Sequence, residues 1–379
     1  MSQNNRDFAE ITKIASDELD VVRVSRPCCD KYYITAHPAK DGRQYSMFEN
    51  LGRFLRKHNA GIVTQDVFGG CELYADGMDA LSRACGAVDW PVTWIEGYGL
   101  APKKLTGTQV YAISGLSVQP VRLDGRIVGG VFEDDDARYC LLGDLRPTDI
   151  SCSRAEQARA TLEKIEVALA TIDMGFSDVV RTWFYINEIL SWYDEFNMVR
   201  NKLFEERGVF EGVVPASTGV GVANPAGAAV VAEVFAVKAK NSHNVGISAV
   251  ASPLQCPAID YKSSFSRAVE VILPDHRRLY ISGTASIDPA GATAHVGDVE
   301  NQIALTMEVV AAILESRKMG WADTSRAIAY FKDIENAPLL NRYCRDKRLP
   351  HIPIAVAHGD ICRDDLLFEI ELDAVGKHI

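Results

Sequence analysis

The sequence predicts an α+β chain of three β-α-β-α-β-β units, whose mixed sheets line a shared core with their helices outside. Three observations carry that prediction. One order of strand-like and helix-like segments occurs twice, and a third time more faintly, in units of about 100–125 residues, an ordinary domain size. The composition is that of a folded chain: 379 residues, 47% hydrophobic and 24% charged. Each unit also offers two helices to one sheet, so the sheet's second face must be covered by its neighbours. The units are expected at residues 20–120, 125–240 and 250–379.

The middle unit is the clearest. Arg138-Tyr-Cys-Leu-Leu-Gly143 is a β-rich apolar run closed by glycine. Ser153-Arg-Ala-Glu156 is a capping box, in which the two side chains satisfy N–H groups at a helix start. Ala158, Leu162, Ile165, Leu169 and Ile172 then recur at spacings of four and three, one buried helical stripe that Gly175 stops. Residues 179–186 read as a strand, 193–207 as a second helix, and 216–222 and 229–237 as closing strands.

The C-terminal unit repeats this order. A strand over 279–283 leads to a helix capped by Asp298 with the stripe Ile303, Met307, Val310 and Leu314, stopped at Gly320. A strand over 327–331, a helix over 337–346 and closing strands over 352–356 and 366–372 follow. In the front unit Tyr32-Tyr-Ile-Thr35 precedes Phe48, Leu51 and Leu55, with a stop at Asn59-Ala-Gly61. A strand over 62–68, a short helix over 76–85 and strands over 92–95 and 106–113 complete it. Residues 114–130 and 239–261, rich in Gly, Pro and Ser and without periodicity, read as linkers.

Fifty-one acidic against forty basic side chains give a net charge of −11. Such a surface repels phosphate backbones, so nucleic acid is not an expected partner. No window approaches the roughly 18 apolar residues of a spanning helix, and the polar stretch 1–17 has no signal-peptide core. A cytoplasmic protein with no membrane association is therefore expected. The nine cysteines are odd in number and scattered, apart from adjacent Cys28 and Cys29, as reduced thiols are. There is no CxxC, HExxH or glycine-rich phosphate loop, so no cofactor and no metal is expected. His351, His358 and Cys362 are spaced by seven and four residues, but on strand-like sequence whose directions diverge, which argues against a ligand set.

Glu369 is the leading catalytic candidate. In Leu366-Leu-Phe-Glu-Ile-Glu-Leu372, period-two geometry puts Leu367, Glu369 and Glu371 on one face and Leu366, Phe368, Ile370 and Leu372 on the other. A carboxyl at an apolar cleft keeps its proton near neutral pH, because burial disfavours the charged form, and so can donate it or orient a water. A solvated strand face for both acids is the plainer alternative. A carboxylic acid substrate needs cations, and Arg181, Arg200 and Arg267 are the candidates, each with a surface ion pair as its alternative. Tyr185, Tyr193 and Phe265 are candidates for an apolar wall, or plain core. Ser282, Gly283 and Thr284 offer hydroxyl and N–H donors at a strand end. Cys362 reads more readily as a small buried hydrophobe than as a nucleophile.

Units two and three resemble the Rid family (YjgF-like, also called L-PSP endoribonucleases). The likeness is carried by Ile281-Ser282-Gly283, Gly297-Asp298-Val299, Gln302, Phe331-Lys332-Asp333 and Phe368-Glu369-Ile370-Glu371. In unit two it is carried by Leu142-Gly143, Ala155-Glu-Gln157 and Arg181-Thr-Trp-Phe-Tyr-Ile-Asn187. Small members of that family are homotrimers with sites in the clefts between subunits. The resemblance thus implies Rid/chorismate-mutase-like units in a fused pseudo-trimer, a monomer or at most a weak dimer.

The chain also resembles chorismatases, fused relatives that remove the enolpyruvyl group of chorismate. The motifs are Arg181-x-Trp183-x-Tyr185, Tyr193-x-x-Phe196-Asn197-x-x-Arg200 with Phe204, and Phe265-Ser-Arg-Ala268. They continue with Ser282-Gly-Thr-Ala-Ser-Ile287, His295-x-Gly297-Asp298-Val299 and Asp360-Ile-Cys-Arg-Asp-Asp-Leu-Leu-Phe-Glu369-Ile-Glu371. Their joint order is more specific than any one of them.

This resemblance implies an enzyme in which Glu369 protonates a double bond of a small unsaturated carboxylic acid and water adds, at one inter-unit cleft. Cys362 falls where chorismatase subtypes part by product. The positions related to Glu369 are expected to be Val231 and Gln109, and Glu371 is matched by Glu233. Two departures stand out. Rid imine deaminases carry an arginine on the penultimate strand, whereas Pro91-Val-Thr-Trp, Pro215-Ala-Ser-Thr and Pro353-Ile-Ala-Val have none. The stretch from Ser252 to Phe265 is shorter than in chorismatases and lacks their Tyr-Gly-Pro-Arg. An imine or enamine deaminase and a non-catalytic small-molecule-binding protein are the alternatives. A ribonuclease is opposed by the charge.

Overall fold

The computed structural model of the chain describes residues 8–16, 18–96, 104–261 and 263–378. Residues 1–7 and 17, part of the stretch read as lacking a signal-peptide core, lie outside the described residues. Three six-stranded sheets carry the chain. The first contains β1 (Glu10–Ala15), β2 (Leu19–Arg26), β3 (Cys29–Ala36), β4 (Gly61–Gly69), β5 (Val92–Ile95) and β6 (Leu105–Ser114), with α1 (Ser46–His58) and α2 (Tyr74–Cys85). The second contains β7 (Gln119–Leu123), β8 (Arg126–Glu133), β9 (Ala137–Leu145), β10 (Val179–Ile186), β11 (Ala216–Val220) and β12 (Val230–Ala239), with α3 (Arg154–Ala170) and α4 (Tyr193–Glu206). The third contains β13 (Gly246–Val250), β14 (Ala268–Ile272), β15 (His276–Ala285), β16 (Thr324–Phe331), β17 (Ile354–His358) and β18 (Phe368–Lys377), with α5 (Val299–Ser316) and α6 (Ala337–Asp346).

All three sheets have one topology. The third runs β13-β14-β15-β18-β16-β17, and the other two match it strand for strand. Only the last pair of each is parallel: β4 with β5, β10 with β11, β16 with β17. A parallel pair cannot be joined by a tight turn, so α2, α4 and α6 supply the crossovers.

The helices form where the sequence places them. Ser153 and Glu156 make their reciprocal capping box, and the Asp298 side chain accepts from the Asn301 N–H. Ala158, Leu162, Ile165 and Leu169 pack the helices of the second unit onto its sheet, and Ile303, Met307, Val310 and Leu314 do so in the third. The opposite sheet faces meet in one shared core with residues of all three sheets, among them Tyr33, Tyr111, Tyr139, Phe235 and Tyr280. Strand alternation makes the division: Leu279 and Ile281 of β15 face the helices, and Tyr280 between them faces the centre.

Two sequence expectations are corrected. The supposed linker 114–130 carries β7 and the start of β8, and 239–261 carries β13. These are outer strands with mostly exposed side chains in β7 and β13, so the apolar alternation that betrays a half-buried strand is missing. Gly129 in β8 reads as loop, yet a Cβ there would collide with Leu142 and the Leu141 carbonyl of β9. The front unit likewise begins with the hairpin β1–β2, which the sequence reading left out.

Register bulges index the repeats. Each central pair slips just before Thr64, Arg181 or Arg326. Counting from there, Glu369 opposite Tyr330 matches Val231 opposite Tyr185 and Gly107 opposite Phe68. Glu371 matches Glu233 and Gln109. Gln109, expected as the partner of Glu369, is therefore two residues off: the fainter first repeat had no internal marker to set the register.

Candidate active site

β18 carries Glu369 into a cleft between the second and third units. The cleft encloses about 180 Å³ and is lined by Tyr193, Asn197 and Arg200 of α4 and by Ser217 and Gly219 of β11. From the third unit it takes Phe265, Arg267, Gly283, Cys362 and Arg363 beside Glu369. Alternation along β18 does place Phe368, Ile370 and Leu372 toward the helices and Glu369 and Glu371 on the other face. That face is no solvated surface: Glu369 is 4% exposed.

Room for Glu369 comes from a bulge. The β15–β18 register shifts between Ile281 and Thr284, and a Cβ on Gly283 would overlap Oε1 of Glu369. Glu369 accepts no hydrogen bond from the described residues. Burial pushes its carboxyl up to about 8, the neighbouring Glu371 charge adds to the rise, and Arg181 offsets part of it. At neutral pH it is mainly a protonated acid, the form a general acid needs.

The structure thus brings together Glu369, Tyr193, Arg200, Phe265, Arg267, Gly283 and Cys362 of the expected residues. Arg267 lies along the wall, with Nε and Nη2 donating to the Cys256 carbonyl at 3.0 and 2.9 Å. Arg200 donates to Asn197 Oδ1 at 2.7 Å. Burial pushes the Cys362 thiol up to about 12, which leaves it uncharged.

Four expected residues lie elsewhere. Arg181 is fully buried behind the cleft, where Nη2 donates to Thr218 Oγ1 at 2.6 Å and to Glu371 Oε2. Its surroundings show why a substrate does not reach it: Glu371, Thr218 and the Trp183 ring enclose it. The Ser282 hydroxyl donates to the Ser266 carbonyl at 2.6 Å and accepts from the Ser217 N–H at 2.8 Å, and Thr284 donates to the Ser282 carbonyl. The Ser282 hydroxyl closes the seam between units, and that of Thr284 is spent within its own strand. Tyr185 is likewise buried in the shared core.

Arg363, Asn197, Ser217 and Gly219 line the cleft without having been singled out. Asn197 was within reach, because Tyr193, Asn197 and Arg200 at spacings of four and three share one helix face. Ser217 and Gly219 had no such signal; their strand belongs to the other unit. His351 pairs with Asp20 of the first unit at 2.8 Å and does not line the cleft that Cys362 does. Among the described residues no group of three His, Cys, Asp or Glu is placed to hold a metal ion. No helix among them is long and apolar enough to cross a membrane.

The family model described as Endoribonuclease L-PSP matches residues 146–238. A chorismatase of Streptomyces rapamycinicus is 29% identical over 218 residues, covering 52% of this chain and 64% of that protein. A chorismatase of known crystal structure superposes with a TM-score of 0.62 at 20% identity, over 83% of this chain and 92% of that one. Its middle unit matches a Rid-type family model. The chain as a whole, three repeats of one topology, resembles chorismatases. A 3-hydroxybenzoate synthase of Streptomyces hygroscopicus is also similar to it, 26% identical over 64% of this chain and 75% of that protein. The chain spans less than two thirds of the two chorismatases it matches in sequence, 64% and 62% of their lengths.

Proposed function

We propose that this protein is a chorismatase-like hydrolase or lyase acting on the enolpyruvyl ether of a small carboxylic acid such as chorismate. Glu369 donates its proton to the methylene carbon, and the ether carbon becomes oxocarbenium-like. Water adds there, and the hemiketal collapses to pyruvate and an alcohol. No step requires a metal or a nucleotide. Arg200, Arg267 and Arg363 supply positive charge for the substrate's carboxylates.

The observation that carries this reading is a carboxyl kept protonated near neutral pH at the wall of a cleft with three guanidinium groups. The similar proteins named chorismatase and 3-hydroxybenzoate synthase support the choice of ether over imine. So does β11, which turns Ser217 and Gly219, and no arginine, toward the cleft. Chorismate incubated with wild type and Glu369→Gln, with pyruvate followed, tests it. Loss of the acid is expected to slow release about 10²–10⁴-fold. No pyruvate from the wild type discards chorismate as the substrate, and equal rates discard Glu369 as the acid.

A further inference from the structure

Resting on the reading of Glu369 as proton donor, we propose that Glu371 is a positioning residue whose charge, locked in place by the second unit, keeps the proton on Glu369. The two side chains leave the same face of β18, about 6.6 Å apart along the strand. Glu369 faces the cleft. Glu371, fully buried, sits behind it among four donors. Arg181 and Thr218 donate to Oε2, while Trp183 Nε1 and Arg326 Nη2 donate to Oε1 at 2.8 and 3.0 Å. Three of the four belong to the second unit.

Hydrogen bonds from two guanidinium groups favour the charged form of a carboxylate. In a site withdrawn from water, a second negative charge at that range is costly, so Glu369 retains its proton. The other charged or titratable groups around Glu369 are Tyr193, Asp194 and Arg200 on α4, Arg181 behind the cleft, and Arg267, Arg363, Cys362 and Tyr330. The cleft arginines favour the charged form; of the two acids, Asp194 is exposed to solvent, and Glu371 is the buried one, two residues along the same strand face.

The first repeat shows that attachment at this register needs no charge. Gln109 holds the same register in the first unit and ties it to the third, accepting from Arg326 Nε at 3.0 Å and donating to the Ala327 carbonyl at 2.8 Å. A neutral amide thus suffices for the tie where the residue two positions earlier is Gly107. The other two units carry a glutamate at this register, Glu233 behind Val231 and Glu371 behind Glu369, and only in the third does a second acid stand beside it.

The test is an NMR titration of the protein labelled with ¹³C at the glutamate carboxyl, the Glu369 signal being assigned by its loss in Glu369→Gln. Glu371→Gln is expected to lower the Glu369 midpoint by about one pH unit, because Arg181 and Arg326 then face Glu369 with one anion fewer. Glu371→Asp, which keeps the charge, is expected to restore it. Arg181→Gln is expected to raise the midpoint, so either variant decides the matter if the other does not fold. A midpoint unmoved in whichever variant folds overturns the proposal. This readout needs no turnover, so a wild type that releases no pyruvate removes the proposed reaction without touching the titration.

Discussion

Glu369 and Gly283 form one unit of design: the glycine bulge vacates the space that the carboxyl fills. Gly283→Ala forces a methyl group into Oε1. The expected outcome is a loss of about 1–3 kcal/mol of stability, read by urea titration, and a fall in pyruvate release as the acid is displaced. The raised carboxyl has a second consequence. Its folded value of about 8 stands above the ordinary 4.5, so its contribution to stability is present below about 4.5 and is lost as pH rises through about 8. The protonated acid is also the working form, so turnover is expected to fall along the same alkaline limb. Glu369→Gln is expected to be the more stable protein above pH 8, by a few kcal/mol at most, and to lose that advantage near pH 4. Equal melting temperatures of the two proteins across this range count against a buried, protonated acid.

At the scale of elements, the helices were the readable part. An N-cap side chain and a stripe at spacings of three and four are local, and α3 and α5 follow from them with little help from the rest of the chain. Ser153→Ala removes the cap and is expected to cost about 1 kcal/mol, measured by thermal unfolding, without altering the cleft. The outer strands β1, β7 and β13 were not readable, because a strand that borrows its hydrogen bonds from one neighbour needs no apolar alternation of its own. The bulges escaped for a related reason. Whether Thr64, Arg181 and Arg326 share a position is decided by the partner strand, and that is where the assignment of Gln109 went astray. Arg181 shows the same limit at close range: its motif was visible, but the Glu371 that occupies it stands 190 residues away.

Across the whole molecule the three units are joined by charges as well as by apolar packing. Arg26 of β2 reaches Asp134 and Asp136 of the second unit and Asp275 of the third, the last at 2.6 Å. Lys31 adds a second contact to Asp134 at 2.7 Å and lies 4.0 Å from the centre of the Tyr139 ring. Lys31, Tyr139 and Arg278 occupy one register position in the three sheets, and they meet. Against the opposing effect of burial, Lys31 and Arg26 hold Asp134, and the His276 ring and Arg26 hold Asp275, below the usual carboxylate range. Their stabilisation is therefore present above about pH 3.8 and lost only as pH falls through those lowered values. Arg26→Met leaves three buried carboxylates with one cation among them. It is expected to cost about 3–5 kcal/mol and to move acid unfolding to higher pH, followed by circular dichroism. An unchanged acid transition would show that the clasp contributes nothing.

Local pattern was enough for the helices, the threefold order of segments, the face of β18 that bears the acids, and the family likeness, because each of these depends on neighbours a few residues apart. Folding alone decided that Glu369 stands out of water beside a glycine bulge, that Arg181 and Ser282 serve the seam rather than the cleft, and that Ser217 and Arg363 join it. Those facts depend on which unit packs against which, and contacts between residues so far apart in the chain leave no periodicity to be read.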